Sequence, residues 1–212
     1  MVYSVKEIVY TVQGEGAHTG RAAVFCRFTG CNLWSGLEQD RTAAMCKFCD
    51  TDFVGVDGAG GYRYLSVEPL ATAIALRWPW DQISGVPYVV CTGGEPLLQL
   101  DRALVMALHA RGLSVAVETN GTCQAPIGLD WICVSPKAGT HLVLTAGDEL
   151  KLVFPQENMD PAQFTGLQFQ HFFLQPKDGP ALKQNTIAAI HYCLNYPKWR
   201  LSLQVHKFLG LP

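Results

Sequence analysis

Short apolar runs recur along the chain, and the polar positions between them follow two different periods. The runs Ala22–Phe28, Pro87–Cys91, Ser114–Glu118, Trp131–Ser135, Glu149–Phe154, His171–Gln175 and Arg200–His206 are rich in β-branched residues. Several are too short for helices and are bounded by Gly, Pro or Asn, which predicts strands. Helical stripes lie between them. Leu100, Ala103, Leu104, Ala107 and Leu108 repeat at the i, i+3, i+4, i+7 positions, and Gly112 sits where a helix ends. Leu70, Ala73, Ile74 and Trp78 form a second stripe, entered through Ser66 as N-cap with Pro69 in the first turn. Ile187, Ile190 and Leu194 form a third before Pro197. Strands separated by helix-length segments predict βαβ units, an α/β fold and a parallel sheet. No repeat or linker divides residues 1–212, which predicts a single domain, and Gly55–Gly61 reads as its most exposed loop.

In such sheets ligands bind at the carboxyl ends of the strands. There the chain places Cys31, Thr92-Gly93-Gly94-Glu95-Pro96, Thr119-Asn120-Gly121, Ser135-Pro136-Lys137 and Gln175-Pro176-Lys177. Any one of these is ordinary turn chemistry. Repetition at successive strand ends points to a site on one rim.

Composition narrows the class. Hydrophobic residues make up 49% and charged residues 16%, well below the usual quarter or so, so the chain can fill a core and is not disordered. Sixteen Lys+Arg against eighteen Asp+Glu give a net charge of -2, which offers no basic field to nucleic acid. No apolar run approaches the 18 or so residues of a membrane span. The opening MVYSVKEIVYTVQGEG has no secretory core, so a cytoplasmic location is expected. In that compartment eight cysteines are core fillers, metal ligands or catalysts rather than disulfides.

Cys31, Cys46 and Cys49 stand as C-x14-C-x2-C. Three thiolates can hold a 4Fe–4S cluster with one iron open to an external ligand. A structural zinc site is the rival, with Cys26 as fourth ligand. Alternation counts against it, because Cys26 shares a face with Val24 and Phe28 while Phe25 and Arg27 face the other way. Cys91, Cys123, Cys133 and Cys193 have no ligand-like neighbours and read, like Cys26, as core.

Cys46-Lys47-Phe48-Cys49, with Gly93-Gly94-Glu95-Pro96 at a strand end downstream, resembles the radical S-adenosylmethionine (SAM) superfamily, whose usual spacing is C-x3-C-x2-C. This chain departs from it through the long 32–45 segment. That cluster loop (31–49), the short chain, Gln13-Gly14-Glu15-Gly16 and the tail Gln204-Val205-His206-Lys207 are similar to the 7-carboxy-7-deazaguanine synthase family. The resemblance implies a reduced, partial (β/α)6 barrel of the radical SAM type and a homodimer. It implies ring contraction of 6-carboxy-5,6,7,8-tetrahydropterin to 7-carboxy-7-deazaguanine with loss of ammonia, in queuosine biosynthesis. The cofactors implied are a 4Fe–4S cluster, SAM and Mg²⁺, with an external flavodoxin-type electron donor and no direct contact with nucleic acid or membrane.

The same resemblance assigns residues. Cys31, Cys46 and Cys49 hold the cluster; Phe48, Cys49 and Asp50 line the adenine region. Gly94, Glu118, Ser135, Pro136, Lys137 and Gln175 serve SAM. Thr51 stands at the Mg²⁺ position, although a Thr after Asp50 is equally a turn or N-cap residue. Val12, Gln13, Gly14, Glu15, Arg27, Thr92, His206 and the terminal Pro212 are implied for the substrate. A Gln–Glu pair suits a pterin edge, and a guanidinium suits a carboxylate. Two other functions remain open from these motifs. One is a short radical SAM activating enzyme for a glycyl-radical partner; the other, in a different class, is a structural zinc or electron-carrying iron–sulfur module.

Overall fold

The computed structural model describes residues 1–81 and 85–211. Nine strands form one sheet: β1 (Tyr3–Val12), β2 (Ala22–Phe28), β3 (Tyr62–Tyr64), β4 (Tyr88–Gly93), β5 (Ser114–Thr119), β6 (Trp131–Val134), β7 (Ala146–Phe154), β8 (Gln168–Pro176) and β9 (Trp199–Leu201). Their spatial order is β3-β1-β2-β4-β5-β6-β7-β8-β9. From β2 to β9 every neighbouring pair is parallel, while β1 joins β2 and β3 antiparallel. The helices are α1 (Val67–Ala75), α2 (Arg102–His109), α3 (Leu182–Asn195) and α4 (Val205–Leu209). The connections β5 to β6 and β6 to β7 contain no helix, and the sheet does not close on itself. This is the reduced, partial barrel that the resemblance implies. Among the described residues no helix is long and apolar enough to cross a membrane.

All seven predicted strand runs overlap observed strands, with one boundary corrected. Arg200–His206 is not one strand: β9 ends at Leu201, and α4 begins at Val205, whose N–H donates to the Gly14 carbonyl at 3.0 Å. Strand β1 was not predicted. A register shift between Val5 and Glu7 breaks its alternation, and Lys6 is buried beside Val5. The Lys6 ammonium is neutralised by Asp52 at 2.8 Å and Asp57 at 2.7 Å, so its burial carries no unpaired charge. The Gly55–Gly61 loop is largely exposed, as expected, yet is tied to β1 by Gly58 N–H to Lys6 O and Ile8 N–H to Ala59 O.

Helix α1 buries Leu70, Ala71 and Ile74 and starts after Ser66, whose side chain makes no capping bond. Helix α2 buries Leu104, Val105, Ala107 and Leu108, while Ala103 of the predicted stripe is exposed. Its N-cap is Asp101, which accepts from Leu104 N–H at 2.9 Å. The third stripe is corrected outright: Ile187, Ile190 and Leu194 of α3 face outward, at 49%, 39% and 73% exposure. The face against the sheet carries Asn185 and Ala189 instead. Asn185 Nδ2 donates to Lys177 O at 2.7 Å, and the small Ala189 lets the helix lie close to β8.

Candidate active site

The parallel strands converge on a cleft of about 370 Å³ at their carboxyl rim. Strand β2 contributes Arg27 and, beyond it, Cys31; β4 contributes Thr92 and Gly93 and, just past its end, Gly94. Glu118 comes from β5, Ser135 and Lys137 follow β6, and Gln175 is the penultimate residue of β8. Val12, Gln13, Gly14 and Glu15 enter from the end of β1, and His206 enters from α4. Cys46, Phe48, Cys49, Asp50 and Thr51 complete the wall. Pro136 is buried and not part of the wall, its carbonyl accepting from Gln156 Nε2 at 3.1 Å. Pro212 lies outside the described residues.

The long cysteine spacing collapses in space. Leu33 O accepts the N–H groups of Met45 at 3.1 Å and Cys46 at 3.3 Å, so the 32–45 segment leaves and returns at nearly the same place. Its interior is organised by Trp34, which meets Phe53 edge-on at 5.6 Å and carries the Arg41 guanidinium 4.0 Å above its ring. Arg41 also donates to Lys47 O and Cys49 O, fixing the C-x2-C turn. The segment contains a short 3-10 turn at Glu38–Asp40 and no longer helix.

Cys31 Sγ accepts the Leu33 N–H at 3.4 Å. Burial pushes the Cys31 and Cys46 thiols up, and the Lys137 charge draws Cys46 back toward its thiolate. Among the described residues no three His, Cys, Asp or Glu side chains converge on a single metal ion. Cys26 is fully buried in β2, in register with Cys91, and its thiol is pushed well up by burial. The four-ligand zinc reading is therefore not built. Three thiols spread around one wall fit a larger group, and a 4Fe–4S cluster with one open iron matches that donor set. Cys91 and Cys133 are buried, but Cys133 is also on the cleft wall, with Sγ 3.5 Å from Glu149 Oε1.

The Gly-Gly-Glu turn has a packing reason. A Cβ at Gly93 would lie 2.1 Å from Phe28 O, and one at Gly94 2.1 Å from Gly30 O. Only glycines let the end of β4 lie against the turn that leads to Cys31. Glu95 points inward: its carboxylate accepts from Leu97 N–H at 2.9 Å, Asn120 N–H at 2.8 Å and Thr119 Oγ1 at 2.7 Å. It joins the ends of β4 and β5. Asn120 Nδ2 in turn donates to Asn32 Oδ1 at 3.0 Å, linking β5 to the cysteine loop. Lys137 donates to Ser135 O and Oγ at 2.6 and 2.7 Å, and burial holds its ammonium below the usual range. No helix begins at Thr51, so it is not an N-cap; it stands on the cleft wall, half-buried.

On the opposite side, Arg27 Nε donates to Glu7 Oε1 at 2.8 Å, across the β1–β2 pair. Its two terminal nitrogens have no hydrogen-bond partner among the described residues. Gln13 is buried with both ends of its amide engaged: Nε2 donates to Glu118 Oε1 at 2.8 Å, and Oε1 accepts Glu15 N–H at 3.1 Å. Gln175 is buried and accepts from Ser202 Oγ at 3.3 Å. Asp50 is bound by Lys207 and Gln204. A Cβ on Gly14 would lie 2.2 Å from His206 Nδ1, so this glycine is what allows α4 to reach the cleft. Sequence reasoning assigned no role to Glu7 or Lys151 and placed Asn120 only on the rim, though all three are on the wall. Lys151, like Arg27, is a charge inside an apolar strand, but no motif follows it.

A partial barrel of mostly parallel strands, opening at one rim onto three thiols and a glycine-built strand end, is the arrangement that the resemblance to radical SAM enzymes implies. No family model matches the chain. Curated relatives do. It is 63% identical over 211 residues to the 7-carboxy-7-deazaguanine synthase of Bradyrhizobium diazoefficiens, covering 100% of both chains. It is 60% identical over 215 residues to that of Caulobacter vibrioides, again over 100% of both. The more distant enzyme of Bacteroides thetaiotaomicron is 39% identical over 213 residues. Among solved structures, QueE from Escherichia coli superimposes with a TM-score of 0.70 at 27% identity, covering 97% of this chain and 95% of the other. The chain belongs to the 7-carboxy-7-deazaguanine synthase family.

Proposed function

We propose that this chain converts 6-carboxy-5,6,7,8-tetrahydropterin to 7-carboxy-7-deazaguanine with release of ammonia. The observation that carries the reading is that Cys31, Cys46 and Cys49 share one cleft with Arg27 and the Gln13–Glu15 turn. The substrate and the deazaguanine differ only by the atoms of the ammonia released, so no net oxidant is needed. When bound, the 4Fe–4S cluster and SAM supply the one-electron chemistry that starts the rearrangement.

The chain's own residues bind and orient. Arg27, anchored at Nε by Glu7, turns its terminal nitrogens to the substrate carboxylate. Glu15, His206 and Thr92 face the ring system, with Gln13 holding Glu118 in place behind it. Gly94, Ser135, Lys137 and Gln175 form the SAM side, with Phe48, Cys49 and Asp50 at the adenine end. Glu118, which the resemblance assigns to SAM, is bound by Gln13 and Lys151 and goes instead with the substrate. Thr51 offers one hydroxyl to Mg²⁺, a hard ion that completes its shell with water and substrate oxygens. Pro136 and Pro212 keep their assigned roles from the resemblance alone.

Residues 1–212 act as one domain, a reading supported by the single sheet that all nine strands join. The outward stripe of Ile187, Ile190 and Leu194 is apolar surface of the kind a homodimer covers. A cytoplasmic location and an external flavodoxin-type donor accord with thiols that must stay reduced.

The test is anaerobic reconstitution with iron and sulfide, followed by SAM, Mg²⁺ and 6-carboxytetrahydropterin. A deazaguanine product, together with a reduced-cluster resonance that changes on adding SAM, is the expected result. Zinc in place of iron, or a resonance indifferent to SAM, would overturn it. Cluster chemistry without a deazaguanine product would favour the glycyl-radical activating enzyme.

A further inference from the structure

A buried cation at the floor of the cleft has so far been given no role. Lys151 lies in β7 between Leu150 and Leu152, and its side chain is 5% exposed. Its ammonium donates to Glu15 Oε2 at 2.5 Å and to Glu118 Oε2 at 3.3 Å. The remaining carboxylate oxygens are held by amides: Gln204 Nε2 donates to Glu15 Oε1 at 3.0 Å, and Gln13 Nε2 to Glu118 Oε1 at 2.8 Å. Because Gln13 Oε1 accepts the Glu15 N–H, the contacts close into a ring through Gln13, Glu118, Lys151 and Glu15. Three separate elements, the turn after β1, strand β5 and strand β7, are locked at this point.

An ammonium in a dry strand costs several kcal/mol unless it is paired. A lysine serving stability alone would need one partner, and an apolar residue would serve as well. This one takes two carboxylates from two other elements and leaves the group with one surplus negative charge facing the cleft. Each carboxylate oxygen has two lone pairs, of which the internal donors use one. The spare acceptors suit a ring edge that presents N–H donors, as the amino-pyrimidinone end of a pterin does.

We propose that Lys151 is a positioning residue for substrate, holding Glu15 and Glu118 in place so that their free acceptors select the N–H edge of the ring. This rests on the pterin reading above and deepens it. Ionisation accords with the geometry. Burial alone would push the Glu15 carboxyl up, but Lys151 holds it below the usual carboxylate range, helped by Gln204 and His206. Burial opposes the Lys151 charge too, yet Glu118 and Glu15, with Cys133 and Glu149 further off, hold it well above the usual amine range. Burial pushes the Glu149 carboxyl up, so the neighbouring acid on the same strand competes less for the cation. Lys137 is the other cation facing this group, and His206 faces it from α4.

The experiment uses reconstituted, SAM-loaded holoenzyme and measures the affinity for 6-carboxytetrahydropterin by calorimetry. Wild type, Lys151→Met and Lys151→Arg are compared across about pH 6 to pH 9, the range in which an unpaired buried carboxyl titrates. SAM affinity and the cluster resonance are recorded in parallel. Lys151→Met should weaken pterin binding by about tenfold or more, the size of one lost charge-assisted contact. Its affinity should fall further as pH drops, because Glu15 without its cation takes up a proton, whereas wild type stays flat. Lys151→Arg should recover most of the affinity and the flat profile, and SAM binding and the resonance should not change. Wild-type affinity and profile in Lys151→Met would overturn the proposal, as would Lys151→Arg failing like Lys151→Met. Should Lys151→Met not fold, Lys151→Gln carries the same expectations. Absence of pterin binding by wild type would instead overturn the function reading itself.

Discussion

Arg27 has three nitrogens, and its cross-strand neighbour Glu7 engages only one of them. The Glu7 contact fixes where the guanidinium plane points, which a flexible side chain would otherwise have to settle at binding. Glu7→Ala should therefore raise KM for the pterin by roughly three- to tenfold, the scale of one ordinary net hydrogen bond in this partly exposed pair, with KM for SAM unchanged. Steady-state kinetics on the two substrates measures it, and an equal rise for both would refute the anchor. At this scale the sequence was most informative where a residue type admits few roles. Three cysteines without a fourth, and glycines followed by Glu and Pro, place themselves. Arg27 was legible through the resemblance, as a charge in an apolar strand just ahead of Cys31. Lys151 was not, because the carboxylates that justify its burial come from residues 15 and 118, far away in the chain. Gln13 was read as a ligand contact, and its amide proves to be engaged with Glu118 and Glu15.

Elements were legible where one face alone is buried or where the run is wholly apolar. The parallel strands β4 and β5 are such runs, buried on both faces. Strand β1 was hidden by its bulge and its buried lysine, and α3 turned the wrong face because Asn185 and Ala189 suit the close fit to β8 better than isoleucine does. The tail shows the most consequential difference, since α4 replaces a strand and brings His206 to the cleft. A clasp holds it there: Lys207 binds both Asp50 and Asp178, and Val205 binds Gly14. The Lys207 bond holds the Asp178 carboxyl below its usual range. A lowered folded value means the contribution is present above the unfolded carboxylate value near 3.9 and is lost as pH falls through the folded value. Lys207 runs the other way: burial opposes its charge, but Asp178 and Asp50 hold it above the usual amine range, so its share is lost only at strongly alkaline pH. The clasp should hold from about pH 5 to pH 9 and open in acid below about pH 4. Hydrogen exchange at residues 205–209 tests this: Lys207→Ala should speed exchange at neutral pH and lose that difference in acid. Equal exchange in both proteins at pH 7 would remove the clasp.

Across the whole molecule the hydrophobic core is divided. One cluster runs from Tyr3 through β2, β4 and β5 with α1 and α2, and a second gathers Val134, Leu150, Phe172, Leu174, Ala189 and Trp199 under α3. The seam falls between β5 and β7: the buried apolar residues of β5 belong to the first cluster, and Val134 of the short β6 joins Leu150 in the second. Strand β6 meets β7 through only Cys133–Glu149 and Val134–Leu150, whereas β7 and β8 stay in register from Ala146–Gln168 to Phe154–Pro176. Side chains facing the barrel interior along that seam are polar: Glu118, Glu149 and Lys151 take places that apolar residues fill elsewhere. A polar seam adds little burial energy, so the two halves should be coupled weakly without ligand and strongly with it. Native-state hydrogen exchange in rising denaturant resolves this. In ligand-free protein the amides of β8, β9 and α3 should open together at lower denaturant than those of β2, β4 and β5, because the second cluster is the smaller. With cluster and SAM in place, the proposed site draws on residues at the ends of β2, β4, β6 and β8, so that gap should shrink, since unfolding either half then forfeits the ligands. A single transition shared by both halves in the ligand-free protein would show that the seam couples them fully. The polar interior would then be a feature of the site alone, with no bearing on how the sheet unfolds.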